Sequence, residues 1–567
     1  MIVALAVMLI SSGLVVAAFT AARGDIGAVS VNSEQKKAYY AAEAGIQDYE
    51  YHLTQDGNYL SYCTEPPAAN PALNQQYKEG TKEPLKSSEL HTAEIPESGG
   101  ERYAIQLIPA ESDKEEHPKC TKSNLVESML EEQGAATGTF RIEATGFYRK
   151  QSRSIMATFR NSNFVSYVWY TKYETFDPAK YGEPVRTQCE AFYGKRPGER
   201  ECQNNYFISG ESVNGPMHTE DHVGICGSPI FGRSLPDRIE FGSRGEPSEE
   251  EGYSNEEVGS CPASPTFKGT HVPVSEVKQL EPPPGDEELE HVVEPAYKYT
   301  GKTEIILEGS TMTVKSFEYN AVTKKVEVKT VPGVAFPPNG VIYVKGGCST
   351  RYSPYGPKPG YEEDTECGNV YVHGEYSNSL TIASQNDIII NGNLITVPRN
   401  GEVPASNALL GLVANNFIRI YHPVVKTYEV GGTTCNGHDR YLGSHICEYI
   451  NNASECDAPN EPTGHTPEDL NNPTIYAAML ALKHSVLVDN YDCGTATLGH
   501  LNVYGAVAGL FSNGLTGEFN GRTGVIEHGY PYDANYDNRL QIEEPPHFLN
   551  PIQAAWTIQR ETLTSQP

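Results

Sequence analysis

The chain opens with an apolar segment. Residues 1–22 carry no charge, and from Ile2 to Phe19 the sequence is apolar apart from Ser11, Ser12 and Gly13. About 20 such residues are enough to cross a bilayer as a helix. We therefore predict a membrane-spanning helix. Its lipid-facing or packing positions are Ile2, Val3, Leu5, Val7, Leu9, Leu14, Val15 and Phe19.

An amphipathic segment follows the apolar one. No proline occurs from Asp25 to Leu53, and apolar side chains recur at spacings of three and four, which is the period of one helical face. A helix over residues 1–56 would be about 80 Å long and would end at Asp56-Gly57. The residues predicted to dock a globular part on this helix are Tyr39, Ala42, Glu43, Ile46, Tyr49 and Leu53.

Alternating patterns after residue 57 indicate strands. Phe140, Ile142 and Ala144 alternate with polar residues, and a second alternating arm returns through Ile155 to Phe159. This pattern is typical of a hairpin. We predict that it closes a β unit over residues 57–163, packed on the amphipathic part of the helix.

Short apolar strand cores dominate the second half of the chain. They are separated by Gly, Asn and Asp corners such as Asn391-Gly392-Asn393, and examples are Val341–Val344, Val370–Val372, Leu380–Ile382, Ile388–Ile390, Phe417–Ile420 and Val486–Val488. A parallel β-helix needs such short cores, because each coil buries its apolar residues on its neighbours. A β-sandwich, which is the alternative, would show longer strands.

The fold prediction is a mainly β protein with a long N-terminal helical stem. Between residues 232 and 299 the sequence is acidic and rich in Pro and Gly, which favours an exposed insertion or linker. Asn550-Pro551 resembles a helix start, so we expect a C-terminal capping helix. The predicted segments after the β unit are 164–231 (start of an outer β domain), 232–299 (linker), 300–549 (β-helix) and 550–567 (capping helix).

Charge and cysteine content narrow the function classes. The 567 residues include 43 Lys+Arg and 73 Asp+Glu, a net charge of −30, so a nucleic-acid-binding face is not expected. The 12 cysteines are dispersed, lack CxxC pairs and favour disulfides outside the cytosol. Near neighbours are the candidate pairs, namely Cys189 with Cys202 and Cys348 with Cys367, although spacing alone does not settle connectivity.

The stem carries a family resemblance. Ala38-Tyr-Tyr-Ala-Ala-Glu-Ala-Gly45 resembles the A-x-x-A-A-E-A-G stretch that closes the stem helix of PilX-like type IV minor pilins. Later segments resemble the extracellular region of actinobacterial pilus-assembly proteins with such stems. They are Val213–Thr219, Pro338–Val344, Asp387–Asn393, Gly411–Asn416 and Tyr536–Leu540.

The resemblance implies a location and partners rather than a chemistry. It implies a pilin-like α+β unit and a basic leader cut beside a methylated residue, which we expect to precede Met1. It also implies a single pass through the cytoplasmic membrane, then a place in an extracellular filament with other pilin subunits and the assembly platform. Residues 1–22 lack the early glutamate of major pilins, which favours a minor or tip subunit. The outer region would then serve surface interaction or adhesion, with a surface glycan as a candidate ligand.

Two segments are candidate metal sites, and no other cofactor is predicted. His218 and His222 flank acidic residues and could form a weak zinc site, although a structural turn is the preferred interpretation. Asp533, Asn535, Asp537 and Glu544 match four positions of a calcium loop, but Asn538 stands where that loop needs Gly. A structural turn is again preferred over Ca²⁺.

An enzyme is the alternative function. Parallel β-helices often act on polysaccharides through paired carboxylates from neighbouring coils. Candidates here are His373, Glu375, Asp387, Asp489 and Asp492, but no spacing selects them. HExxH, GxSxG and Gly-rich phosphate loops are missing from the sequence. We therefore expect a protein without catalytic residues.

Overall fold

The chain divides into two units. The computed structural model describes residues 31–53, most of 70–110, residues 139–160, most of 163–551, and 557–564; its larger internal gaps include 349–364 and 447–469. The first unit, here called the stem unit, comprises Met1–Ser162 and Ala554–Pro567. The second, here called the solenoid unit, comprises Asn163–Gln553.

The stem unit is a helix on a sheet. Residues 31–53 form α1. The strands are β1 (Leu73–Gln75), β2 (Ala93–Glu94), β3 (Arg102–Ile108), β4 (Thr139–Tyr148), β5 (Gln151–Arg160) and, from the end of the chain, β38 (Thr557–Thr564). They pair in the order β1-β3-β4-β5-β38, with β2 on β3. The β4–β5 hairpin joins the two alternating arms seen in the sequence.

The C-terminal segment is a strand where the sequence predicts a capping helix over residues 550–567. Thr557–Thr564 pairs antiparallel with β5, from Thr557 opposite Arg160 to Thr564 opposite Ser154. Residues 552–556 lie outside the described part of the chain. The reason for the difference is tertiary: β5 offers a sheet edge, and a segment rich in Thr suits an extended partner.

The predicted membrane span also lies outside the described residues, since the structure describes nothing before residue 31. The stem positions from Ile2 to Phe19 are therefore not placed. Within the described ranges, no helix combines the length and apolar character needed to span a bilayer.

The solenoid unit is built from short strands. In chain order they are β6 (Trp169–Tyr173), β7 (Tyr206–Ile208), β8 (Ser212–Asn214), β9 (Met217–Thr219), β10 (Val223–Cys226), β11 (Ile230–Phe231), β12 (Arg238–Phe241), β13 (Tyr253–Ser254), β14 (Thr266–Phe267), β15 (Thr270–Val272), β16 (Lys298–Thr300), β17 (Thr303–Gly309), β18 (Thr311–Asn320), β19 (Lys325–Ala335), β20 (Val341–Lys345), β21 (Val370–Tyr376), β22 (Leu380–Ser384), β23 (Ile388–Thr396), β24 (Arg399–Asn400), β25 (Val403–Pro404), β26 (Leu410–Ala414), β27 (Ile418–Ile420), β28 (Thr427–Val430), β29 (Thr433–Asn436), β30 (Tyr441–Leu442), β31 (His445–Ile446), β32 (Thr474–Ala481), β33 (Val486–Val488), β34 (Leu501–Phe511), β35 (Gly517–Phe519), β36 (Ile526–Gly529) and β37 (Tyr532–Tyr536). Two short α-helices, α2 (Val185–Cys189) and α3 (Glu287–Val292), interrupt them. Short 3-10 helices lie at Phe164–Ser166, Pro178–Lys180, Tyr193–Lys195, Val274–Glu276, Pro295–Tyr297 and Asn538–Gln541.

Parallel pairing stacks these strands as a β-helix, which confirms the predicted fold class over the sandwich. The longest column of parallel pairs runs β16-β20-β22-β26-β32-β34-β6-β9-β12-β15. A second column runs β17-β21-β23-β27-β33. The strand cores listed from the sequence lie in these columns.

The order of coils along the column differs from their order in the chain. The chain enters at β6, in the interior of the column, and winds to β15 at one end. It then begins again at β16, at the other end, and winds back until β34 pairs with β6, Val507 opposite Trp169. Nine steps of about 4.8 Å separate β15 from β16 by roughly 43 Å.

Residues 273–297, here called the crossover segment, connect the two ends of the column. Its contacts follow the column in order. The carbonyl of Leu280 accepts a hydrogen bond from Tyr170 in β6 (2.6 Å). Asp286 contacts Tyr343 in β20 (3.0 Å), and Glu290 pairs with Lys298 in β16 (2.7 Å).

From β20 to β32, both faces of the long column are mainly apolar and are covered. Residues such as Ile342, Leu412 and Met479 belong to the cluster inside the solenoid. Their neighbours along each strand, including Tyr343 and Val413, belong to a second cluster. That cluster also contains Leu280, Leu289 and Val293 of the crossover segment, and Leu540, Phe548 and Leu549 near the end of the chain.

The described residues of 232–299, which leave out 244–250 and 256–261, are therefore folded into the solenoid unit, whereas the composition of the whole segment predicts an insertion or linker. The strands β12 and β15 lie in the long column, and β14 pairs with β11. Leu280 and Leu289 are 5% and 0% exposed. A few apolar residues suffice here because they pack on an apolar surface that the column already provides.

Candidate functional site

The stem helix contacts its sheet through small residues. Ala38, Ala41 and Ala42 are buried in α1. On the facing strand β4, a Cβ atom added to Gly146 would lie 1.9 Å from the carbonyl oxygen of Ala38 and 2.4 Å from the backbone nitrogen of Ala42. The backbones of helix and strand therefore meet with no side chain between them at this point.

Gly45 creates a second close contact one turn further along. A Cβ atom at Gly45 would lie 2.8 Å from the ring of Tyr103 in β3. Ala38, Ala41, Ala42 and Gly45, here called the small-residue stripe, thus account for four of the five Ala and Gly positions of the stem motif, and the fifth, Ala44, is half-buried. Because the stripe lacks bulk, α1 lies close to the sheet.

Aromatic side chains fill the space beyond the stripe. The Tyr49 ring lies 6.1 Å from Phe140 and 5.9 Å from Phe159, measured between centroids, in the geometry that aromatic pairs prefer. Tyr49 is 1% exposed, and this burial raises the pKa of its hydroxyl. Tyr49 therefore remains neutral and acts as a packing residue.

Charged pairs border the other end of the contact. Lys37 Nζ lies 3.0 Å from Glu101 Oε1, and Arg149 Nη1 lies 3.0 Å from Glu34 Oε1. The hydrogen bond between Lys37 and Glu101 raises the pKa of Lys37 and lowers that of Glu101. Such solvent-exposed pairs contribute little energy, so they orient the helix more than they hold it.

The structure places the predicted docking residues as follows. Ala42, Ile46, Tyr49 and Leu53 are buried, and Tyr39 and Glu43 are partly exposed. Ala38, Ala41 and Gly146 are not among the predicted docking residues. A glycine in a strand of otherwise bulky residues indicates close backbone approach, and this signal was available for Gly146.

The two candidate zinc ligands have separate partners in the solenoid unit. His218 Nδ1 lies 2.6 Å from Glu240 Oε2, and His222 Nε2 lies 2.8 Å from Ser254 Oγ. Burial alone would raise the pKa of Glu240, but the contacts with His218 and Arg238 hold it at about 2. Histidine and glutamate therefore form a buried structural pair.

The candidate calcium residues are also kept apart. Asp533 and Asn535 lie in β37, where Asp533 contacts His500 (2.8 Å). Asp537 binds the guanidinium of Arg539, and Glu544 accepts from Asn163 and Asn550. The first positions of the loop that calcium would need are extended in β37, and its middle forms the 3-10 helix Asn538–Gln541. In the described part of the chain, no group of three or more His, Cys, Asp or Glu has the geometry to hold a metal ion.

The two carboxylates that are the best candidates for a catalytic acid pair both form ion pairs with one arginine. Arg419 in β27 lies 3.2 Å from Asp387 and 2.9 Å from Asp489, and all three are buried. Glu375 is exposed, His373 contacts Asn391, and Asp492 lies outside the described residues. Arg419 thus neutralises both carboxylates and joins the coils that carry them.

The structure forms both candidate disulfides. Cys189 at the end of α2 pairs with Cys202, and Cys348 pairs with Cys367 ahead of β21. The paired cysteines are 13 and 19 positions apart in the sequence, respectively, so each disulfide closes a loop. Cys226 is disulfide-bonded as well.

Comparisons with known proteins add little. No family model matches the chain, and no curated protein sequence matches it. Among solved structures, it is similar to the competence-associated pilin ComZ from Thermus thermophilus at 13% sequence identity, with 94% of this chain and 98% of that chain covered. The TM-score is 0.29, which is too low to support an argument about fold or function.

Proposed function

We propose that this protein is a PilX-like minor pilin. Its stem is held in the cytoplasmic membrane before assembly and then packs in a type IV pilus or related filament. The observation that carries the proposal is the small-residue stripe. The motif that resembles a pilin stem is the part of α1 that lies directly against the sheet at Gly146.

The free side of the helix supports packing against other subunits. Tyr40 and Tyr51 are 63% and 59% exposed, on the side of α1 away from its sheet. Exposed tyrosines on one face of a helix are suited to an interface, because tyrosine is enriched where another protein surface covers it. In a filament, neighbouring stems and the assembly platform are the partners that would do so.

The solenoid unit would be the part displayed outside the cell. Its disulfides suit an oxidising compartment, and its acidic surface suits a soluble outer domain. We assign it surface interaction or adhesion, with a glycan as a candidate ligand. We assign it no catalysis, because Arg419 neutralises the best carboxylate pair.

The test is incorporation into surface filaments of the native host. Tyr40→Ser and Tyr51→Ser should together reduce the protein in the sheared filament fraction about tenfold, with cell-associated protein unchanged, because they remove only exposed packing surface. Gln47→Ser is the matched control, since Gln47 is also exposed on α1.

Mass spectrometry of the mature protein supplies a second measurement. We expect a methylated amino terminus left by leader removal, close to the apolar segment. An unmethylated terminus in the native host, or a filament fraction that never contains the protein, would refute the pilin assignment.

A further inference from the structure

The hairpin β18–β19 leaves much of its surface uncovered. Its base is packed into the solenoid through Met312 and Val314. The strands remain paired to the tip, where Asn320 lies opposite Lys325. From Lys325 to Gly333, every residue of β19 is exposed. Among the described strands, β19 pairs with β18, and its other edge has no strand partner.

Exposed apolar side chains are concentrated on this hairpin. In the described part of the chain, nine large hydrophobic side chains are exposed, and five of them lie here: Tyr319, Val322, Val326, Val328 and Val331. Val326 and Val328 are 49% and 51% exposed. They share one face with Tyr319 and Phe317, their opposite residues in β18. Such a patch marks an interaction surface.

The charges along β19 indicate which partner would pair with its uncovered edge. Lysines on a strand edge normally keep other strands away. Here Glu327 and Lys329 stand on either side of Val328, so these two charges are complementary to their own reverse about Val328, and Lys325 would lie opposite Val331. In an antiparallel pair centred on Val328, Glu327 of each copy lies opposite Lys329 of the other, and Val328 lies opposite itself. Pro332 follows Val331 in β19. Because proline has no backbone N–H, it ends the run of hydrogen-bond donors along this strand.

We propose that β19 pairs edge to edge with β19 of a second copy of this chain, antiparallel and centred on Val328. The two hairpins then form one four-stranded sheet with a continuous apolar face. Its two-fold symmetry makes the pair of Glu327 with Lys329 occur twice. The proposal rests on the solenoid unit alone and does not depend on the stem function.

Charge exchange tests the register. The full chain, in detergent, is compared by analytical ultracentrifugation across a concentration series. Glu327→Lys and Lys329→Glu should each raise the dimer dissociation constant about tenfold, because each places two like-charge pairs in the sheet. The double variant E327K/K329E should restore the wild-type value. Self-association through the stem would be equal in all variants.

Cysteine crosslinking tests the centre. Val328→Cys should form a disulfide-linked dimer under mild oxidation, because opposite Cβ atoms lie about 5 Å apart. Val326→Cys is the matched control. Val326 lies on the same face as Val328 and is similarly exposed, but in this register the two copies of residue 326 would be about 13 Å apart.

Three results would overturn the proposal. The first is sedimentation that is independent of hairpin charge, and the second is a double variant no better than the single ones. The third is equal crosslinking at positions 326 and 328, which would indicate random collision or another partner.

Discussion

At residue 146, helix and sheet meet backbone to backbone. A methyl group there would lie well inside van der Waals contact with Ala38 and Ala42, and a backbone neighbour cannot move aside as a flexible side chain can. We expect Gly146→Ala to destabilise the stem unit by about 3 kcal/mol through overpacking. The measurement is hydrogen exchange in β3, β4 and β5.

The control for this prediction is Gly347→Ala. Gly347 is exposed, and a Cβ atom added there meets nothing within 4 Å. It should leave exchange in the stem unit unchanged. Equal exchange in the Gly146→Ala variant and the wild type would show that the helix does not lie as close as described.

Asp286 makes the crossover segment sensitive to pH. One carboxylate oxygen accepts from Tyr343 and Asn415, whereas Oδ2 is buried with no hydrogen-bond partner among the described residues. Burial raises the pKa of Asp286 to about 7. The protonated acid is therefore favoured in the folded state, and the stabilisation is complete below pH ~4 and is lost as the pH rises towards 7.

Between pH 4 and 7, the contribution of Asp286 to the free energy of unfolding should fall by up to about 4 kcal/mol, which is the free-energy equivalent of its pKa shift. Asp286→Asn should remove this pH-dependent contribution. The measurement is the free energy of unfolding of the variant and the wild type as a function of pH. A smaller slope of the same sign should remain, because desolvation also raises the pKa of half-buried Glu211 to about 7. An unchanged slope in the variant would contradict the assignment.

At the scale of elements, one buried arginine joins three coils. Asp387 precedes β23, Arg419 lies in β27 and Asp489 follows β33. Arg419→Ala would leave two carboxylates buried without their cation. We expect a loss of about 3–5 kcal/mol in the free energy of unfolding, measured by chemical denaturation.

A triple variant separates charge from packing. Arg419→Met combined with Asp387→Asn and Asp489→Asn should recover most of the loss, since no charge then remains buried. Recovery would fail if the arginine mattered mainly through its shape. Alanine at Asp387 or Asp489 is likewise expected to destabilise the fold, so it cannot serve as a test of catalysis.

At the scale of the whole molecule, the permuted coil order predicts mutual dependence of the two halves. A chain of residues 1–283 would expose β6, whose partner β34 lies in the other half. Open solenoid ends are insoluble unless they are capped or paired. We expect residues 1–283 and 284–567 to aggregate when expressed separately and to copurify when expressed together.

Copurification is measured with a tag on one half, and hydrogen exchange in β34 reports whether the junction has formed. The crossover segment contributes contacts from both sides of the break, at Leu280 and at Asp286. Either half appearing alone as a folded, soluble protein would show that the β6–β34 junction is dispensable.

Local patterns in the sequence were sufficient to predict several elements. The period of α1, the hairpin arms of β4 and β5, the short strand cores and the parallel β-helix follow from the spacing of apolar residues, since each is determined by near neighbours. The stem motif contained the small-residue stripe, although its partner Gly146 was not recognised. The disulfide candidates were near neighbours in the chain.

Only the tertiary structure decided which distant segments meet. The pairing of β6 with β34 and of β38 with β5 joins segments hundreds of residues apart, and no local pattern records it. The crossover segment contacts Tyr170 and Asn415, which lie 110 and 129 positions away. The same limit applies to the candidate metal sites. Sequence proximity suggested His218 with His222 and Asp533 with Glu544, but strand geometry directs these side chains to other partners. Conversely, Asp387 and Asp489 meet at Arg419 because stacking of coils, rather than spacing along the chain, sets their distance.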